Sequence, residues 1–451
     1  MPVAALNLED SKPVATKKRL RTNLGACGWA LLSLVTGVAP VTAQDVLAPP
    51  PAYSVAPEAV QQNQADSPMQ VFAPAETGAP TQPFQCGPVV IRPHALYRYL
   101  YGTGVSSSPG QQQSTIVQQV SPGVMFDLGT HWTLDYTPTL TFYSSSDLQN
   151  TLDHSVQLGW GTAYGNWFLH ASQGVSITSD PQVETAAQTD EQSYSTAVSA
   201  AYQFNDKISV DLGLNQSFNY YSSGNSSTNN SSTNSLSLAS SRSWSTMDWL
   251  NYAIYPWLNA GIGAGFGYNQ QDNSPDTIYE QYQGRIQWRA TQKISLQVNG
   301  GLQDQQYLSG GAGDLVTPVM GAGIQYQPFE QTQLSLGASR SLSPSAFQSQ
   351  SSESTSISVD LSQRLLGKLH LDLGGGYGFT KYTPTSASLS TSRRDDYYSF
   401  SARLTSPFPK RGTVSVFYQY SENTSSQSGF LSSGSFAYTS SQIGVELGYR
   451  Y

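Results

Sequence analysis

From Ile443 to Tyr451 the chain alternates without a break. Ile443, Val445, Leu447, Tyr449 and Tyr451 fall on one side, and Gln442, Gly444, Glu446, Gly448 and Arg450 on the other. A period of two is the spacing of a β-strand with one apolar and one polar face. The sequence stops there on an aromatic residue. A terminal strand of this kind predicts closure of a barrel, its apolar face against lipid and its polar face against a water-filled interior.

The same period recurs upstream. Every even position from Trp132 to Phe142 is apolar and every odd one polar. Leu369, Leu371 and Leu373 interleave with His370 and Asp372, and Ile208, Val210, Leu212 and Leu214 face away from Ser209, Asp211 and Asn215. Short turns near Gly129, Gly165-Asn166, Asn205-Asp206, Pro256, Thr291-Gln292, Phe329-Glu330, Leu366-Gly367 and Pro409-Lys410 alternate with longer Ser/Gly/Asn-rich loops. Those loops fall at about 106–114, 146–152, 181–191, 222–236, 272–277, 309–314, 347–353, 383–395 and 427–436. Nine loops and eight turns require 18 strands, with 16 as the next count. The expected fold is therefore all-β: one antiparallel up-and-down transmembrane barrel from Cys86 to Tyr451, with tight turns on one side of the membrane and long loops on the other. Trp132, Tyr164, Trp167, Phe204, Tyr255, Trp257, Trp288, Tyr326, Phe329 and Phe408 all stand beside the short turns, where an aromatic girdle belongs. Only Arg242 to Ile254 fails to hold one parity, because Trp244, Met247, Trp249 and Leu250 conflict. A bulge or a misplaced boundary is expected there.

The amino-terminal part has another character. Lys17, Lys18, Arg19 and Arg21 precede an apolar run from Leu24 to Val38 that ends at Val41-Thr42-Ala43, the pattern of a cleaved export signal over 1–43. Residues 44–85 are rich in Pro, Ala and Gln, with Pro49-Pro50-Pro51 and no Lys or Arg. They read as an extended periplasmic linker. Loss of 1–43 would leave Cys86 as the one cysteine, with no intramolecular disulfide or cysteine metal cluster. It would also leave 17 basic against 28 acidic residues, a formal −11, and no basic face for nucleic acid. Charged residues make up 12% of the chain, against about a quarter in ordinary soluble domains.

Catalytic and cofactor motifs fail on inspection. Gly261-Ile262-Gly263-Ala264-Gly265-Phe266-Gly267-Tyr268 lacks the helix that a phosphate-binding loop needs and reads as a strand with glycine on its lumen face. The five histidines, His94, His131, His154, His170 and His370, show no zinc spacing. In Asp153-His154-Ser155 adjacent strand residues point to opposite faces, so no triad forms locally. No catalytic, cofactor or metal residues are assigned, and no enzyme is expected. What remains is the lumen face. Parity aims Asp127, Asp135, Asp211, Asp360, Asp372 and Glu446 inward, with Arg98, Arg285, Arg289, Arg364, Arg403 and Arg450. A basic residue facing mid-bilayer lipid costs roughly 2–4 kcal/mol, so stability alone demands that direction; across a lumen, the same charges would tune selectivity. Arg340 shares the parity of Leu334 and Leu336 and is tolerable only near the outer interface.

Ser245-Thr246-Met247-Asp248-Trp249-Leu250-Asn251-Tyr252, Trp288-Arg289-Ala290-Thr291 and Gln363-Arg364-Leu365-Leu366-Gly367-Lys368 resemble the outer-membrane family described as putative beta-barrel porin type 2, as does the last strand. The resemblance implies a porin-like barrel in the outer membrane of a Gram-negative-type bacterium, without an established substrate. The first strand, Ala95 to Val105, lacks the acidic-Asn ending expected of that group. At 16–18 strands side chains no longer fill the interior, so passive passage of small hydrophilic solutes is the expected function. A component of polysaccharide or protein export working through 44–85, and an occluded structural or surface-binding barrel, are the alternatives. The expected partners are outer-membrane lipid, the solutes, further copies of the chain, and the barrel-assembly machinery through the strand ending at Tyr451.

Overall fold

The computed structural model describes residues 84–450 except 109–110, 183–186, 223–237, 309–312, 346, 348–349, 386–391, 409–410 and 429–435. The expected export signal, residues 44–83 of the Pro-rich segment, and Tyr451 lie outside the described residues.

Eighteen strands build one wall. They begin with β1 (Val89–Ser108), β2 (Gln111–Leu128), β3 (Trp132–Tyr143), β4 (Thr151–Tyr164), β5 (Trp167–Thr178) and β6 (Asp190–Gln203). Next come β7 (Ile208–Ser222), β8 (Ser241–Tyr255), β9 (Leu258–Gln271), β10 (Thr277–Thr291), β11 (Ile294–Tyr307) and β12 (Leu315–Phe329). The last are β13 (Thr332–Pro344), β14 (Gln350–Leu365), β15 (Leu369–Pro384), β16 (Ser392–Phe408), β17 (Gly412–Ser428) and β18 (Tyr438–Arg450). Each strand pairs antiparallel with its neighbours in sequence, and β18 closes on β1 with Arg98 opposite Glu446 and Tyr99 opposite Val445. Closure removes the free edges that an open sheet would carry. Before β1 a three-residue strand, Phe84–Cys86, folds back on Val89–Ile91, and β1 begins six residues ahead of the Ala95 expected from sequence. Gly129, Gly165 and Gly367 supply positive φ in the tight turns, a conformation that glycine reaches without a Cβ penalty.

Register assigns the two faces. Tyr97, Tyr99 and Tyr101 of β1 and Ile443, Val445, Leu447 and Tyr449 of β18 stand on the outside and are exposed. Arg98, Gln119, Thr141 and Glu446 point inward and are buried. Oil outside and polar groups inside invert the arrangement of a water-soluble domain. A monomer in water rarely shows a contiguous apolar patch beyond a few hundred Å²; this wall is apolar around its whole circumference, so lipid has to cover it. All ten aromatics beside the short turns are exposed, from Trp132 and Tyr164 to Phe329 and Phe408, which forms the girdle at that end.

Strand β8 corrects the expected break in parity. Its pairing with β9 runs unshifted from Ser241 to Ala253, so Trp244, Thr246, Leu250 and Tyr252 face out while Met247 and Trp249 face in. The shift in register comes at the turn end of β8, between Ala253 and Tyr255, while on the β7 side the register holds and the Gly213 amide donates to the Asp248 carboxylate. Asp248 itself faces outward and is exposed. Arg340 also faces outward, as parity requires, and pairs with Glu353 near the loop end of β13 and β14.

Candidate functional site: the lumen wall

The glycine strand shapes one side of the lumen. Gly261, Gly263, Gly265 and Gly267 of β9 face inward, and neighbouring side chains lie flat in the space they leave. A Cβ on Gly263 would come within 2.7 Å of the Trp249 ring, and one on Gly267 within 2.1 Å of the Tyr279 ring. Bulky residues from β8 and β10 are thus laid against the wall instead of projecting across it. Trp249 carries the Arg285 guanidinium 4.4 Å from its ring centroid. Arg285 donates to Asn251 Oδ1 at 2.6 and 2.8 Å and pairs with Asp211, which also accepts from Asn251 Nδ2 at 2.9 Å.

A second charged group stands nine strands away around the wall. Glu446 is 2% exposed and accepts from Arg98 at 2.8 and 3.2 Å and from Arg403 at 3.2 Å. Both guanidiniums lie over the ring of Phe417, 5.1 and 5.8 Å from its centroid. Phe417 packs with Leu100 and Val117, an apolar cluster on the inner face. One carboxylate shared by two guanidiniums repays part of the desolvation that burial exacts from all three.

The remaining candidates take other places. Asp135 meets His94 at 3.3 Å, and Asp127 pairs with Arg92 at 2.6 Å near the turn end of β1. Asp372 accepts from Ser362 at 2.7 Å, and Arg364 donates to the Gly367 carbonyl at 2.9 Å. Asp360 lies opposite Gly374, Arg289 opposite Ser295, and Arg450 opposite His94. Arg98, Asp127, Asp135, Asp360, Arg364, Asp372, Arg403, Glu446 and Arg450 therefore occupy β14–β18 and β1–β3, while Asp211, Arg285 and Arg289 lie on β7 and β10. Sequence reasoning missed the inward Trp249, Tyr279 and Phe417. The signal available was the neighbouring inward glycine, Gly263 beside Trp249 and Gly444 beside Phe417.

The loop end is narrowed by described parts of the connections. Leu238, before β8, forms a β-bridge with Phe347, between β13 and β14. Phe347 in turn stacks edge-on with Phe436, just before β18, at 5.9 Å. Arg393, held by Asp395 at 2.8 Å, places its guanidinium 3.9 Å from the Phe436 centroid. Gln271, at the end of β9, donates to the Phe347 carbonyl at 3.1 Å. With strands about 4.8 Å apart, β8 and β13 are separated by roughly 24 Å of wall. The connections must leave the wall to meet. On another sector, Pro181–Gln182 pairs with Ala187–Gln188, and this hairpin reaches β1 past the ends of β2–β4. At its base Asp180 accepts from the Tyr143 hydroxyl at 3.0 Å. Burial, with the Asp153 carboxylate beside it, pushes Asp180 up to about 7. Among the described residues no group of three or more His, Cys, Asp or Glu is placed to hold a metal ion.

Residues 276–449, β10 to β18 in essence, match the family described as Putative beta-barrel porin 2. Over that stretch the chain resembles the porin-type barrels of the outer membrane. Trp288-Arg289-Ala290-Thr291 and Gln363 to Lys368 fall inside the match, and Ser245 to Tyr252 lies before it. No curated protein matches the chain. Among solved structures it is similar to OccK2 (OpdF) of Pseudomonas aeruginosa, at 9% identity and TM-score 0.43 over 80% of this chain and 98% of that one. It is similar also to OccAB3 of Acinetobacter baumannii, at 6% identity and TM-score 0.41 over 80% and 99%. The register by itself establishes the closed antiparallel barrel of eighteen strands.

Proposed function

We propose that the barrel is a passive channel for small hydrophilic solutes across the outer membrane. The closed wall of eighteen strands carries this reading: its inner face is polar, and large inward side chains such as Trp249 and Tyr279 lie flat along it. A barrel of this strand number has an interior wider than side chains can fill. The inward charges set the electrostatics of the passage. Residues 1–43 act as the export signal and 44–85 as a periplasmic tether in this proposal. Assembly would engage the barrel-assembly machinery through β18, and the apolar exterior is open to contact with further copies. Purified protein in planar bilayers is expected to give stepwise conductance; silent bilayers containing folded barrel would contradict the proposal.

One observation favours a second reading, an occluded barrel. Leu238, Phe347 and Phe436 meet from three connections, and the paired Pro181–Gln182 and Ala187–Gln188 lie near β1 on a further sector. Replacing Phe347 and Phe436 by Gly separates the readings. An open channel changes its conductance modestly, whereas an occluded barrel conducts only once those rings are gone.

A further inference from the structure

The two halves of the lumen differ in chemistry. Strands β7–β13 present three inward charges among their described residues, Asp211, Arg285 and Arg289, and the first two are bonded to each other. Carboxamides take the place of charge. Asn215, Gln281, Gln283, Gln287, Asn299 and Gln303 all share the inward parity. Two pairs already bond across strands, Asn299 to Gln283 at 2.8 Å and Gln281 to Gln303 at 3.3 Å. Beside them Trp249, Met247 and Tyr279 fill the space over the inward glycines of β9 and so lie against the wall.

Two donors on this face have no hydrogen-bond partner although their side chains are more than nine-tenths buried: Gln287 Nε2 and Trp249 Nε1. Asn259 Oδ1, an acceptor on the residue directly opposite Gln287, is unpartnered as well. A donor and an acceptor side by side match a hydroxyl group, which both gives and takes a hydrogen bond. Carboxamides carry no net charge, so they compensate an ion poorly for lost hydration, whereas neutral hydroxyls exchange water for amide partners on equal terms.

We infer that the β7–β13 half of the wall is a binding track for neutral polyhydroxylated solutes of the saccharide class. The inference rests on the water-filled lumen proposed above and names what that lumen prefers. Charged solutes would follow the opposite half, where Arg98, Arg403 and Glu446 stand.

The test is equilibrium dialysis of the detergent-solubilised full chain against maltotriose, with polyethylene glycol of matched size as the control. Saturable retention of maltotriose and none of the glycol is expected. The triple variant Gln281→Ala, Asn299→Ala, Gln303→Ala should weaken retention at least tenfold, and Asp372→Asn on the opposite half should leave it unchanged. If the triple variant does not fold, Asn299→Asp serves, since it keeps the shape and removes the donor; retention should again fall. Equal retention of both probes, or full retention by the amide variants, overturns the inference. Stepwise conductance without maltotriose retention would do so too and leave the channel standing. Retention by a barrel that does not conduct supports the track and removes the channel.

Discussion

Glu446 shows how much a single lumen residue can carry. It is buried between two guanidiniums, so Glu446→Ala leaves Arg98 and Arg403 facing each other over Phe417 with their shared anion gone. Breaking a buried pair by removing one partner costs about 3 kcal/mol or more. The expected outcome is a lower unfolding midpoint in detergent, read by loss of the compact band in unboiled gels, with part of the loss recovered by adding Arg98→Met. Gly263 offers a prediction of opposite kind. A methyl there must displace the Trp249 ring, which is rigid and already flat on the wall. Gly263→Ala is therefore expected to turn the indole into the lumen and lower single-channel conductance while the barrel stays closed; unchanged conductance would show that the ring has room elsewhere. A shared parity of the charged residues was legible from alternation. Their pairing was not, since Arg98 and Glu446 are 348 positions apart and only closure of β18 on β1 brings them together. Trp249 could not be given a face from sequence, because bulky apolar residues normally mark the lipid face and the compensating glycines belong to the next strand.

At the scale of elements, alternation and turn chemistry located nearly every strand, since a lipid-facing strand has to declare its period. β8 resisted because its inward Met247 and Trp249 are as apolar as its outward Trp244 and Leu250. The convergence of loops was not legible at all, because loop residues carry no periodicity to say where they fold. The hairpin at 181–188 yields a pH prediction. Asp180 sits at its base with Asp153 nearby, and Tyr143, Thr151 and the Ser179 amide supply hydrogen bonds to the two carboxylates. His154 and Asp190 add opposing charges around Asp153. The Asp180 carboxyl is raised from 3.8 to about 7, so the docked hairpin favours the protonated acid. Docking is then fully stable below the unperturbed value and weakens as pH climbs toward about 7. Hydrogen-exchange protection of the Gln149 amide, which donates to Gln188 at 3.0 Å, should fall between about pH 4 and 7 and level off above that, after correction for intrinsic rates. Asp180→Asn should abolish that fall.

For the whole molecule, the decisive feature is the inversion of polarity around a closed wall. The girdle and the facing of the strands follow from an apolar exterior that needs lipid and a polar interior that needs water. Chain-wide alternation with so few charges made that legible in the sequence, because each strand has to present one face to lipid. The most direct measurement places single cysteines on both faces of β10 and β11 in a Cys86→Ser background and reconstitutes each variant in lipid vesicles. Cysteines at Gln283, Gln297 and Asn299 should react with a membrane-impermeant thiol reagent, and those at Tyr282, Val298 and Leu302 should be shielded by the bilayer. The opposite pattern, or equal reaction on both parities, would contradict a lipid-covered exterior around a hydrated lumen.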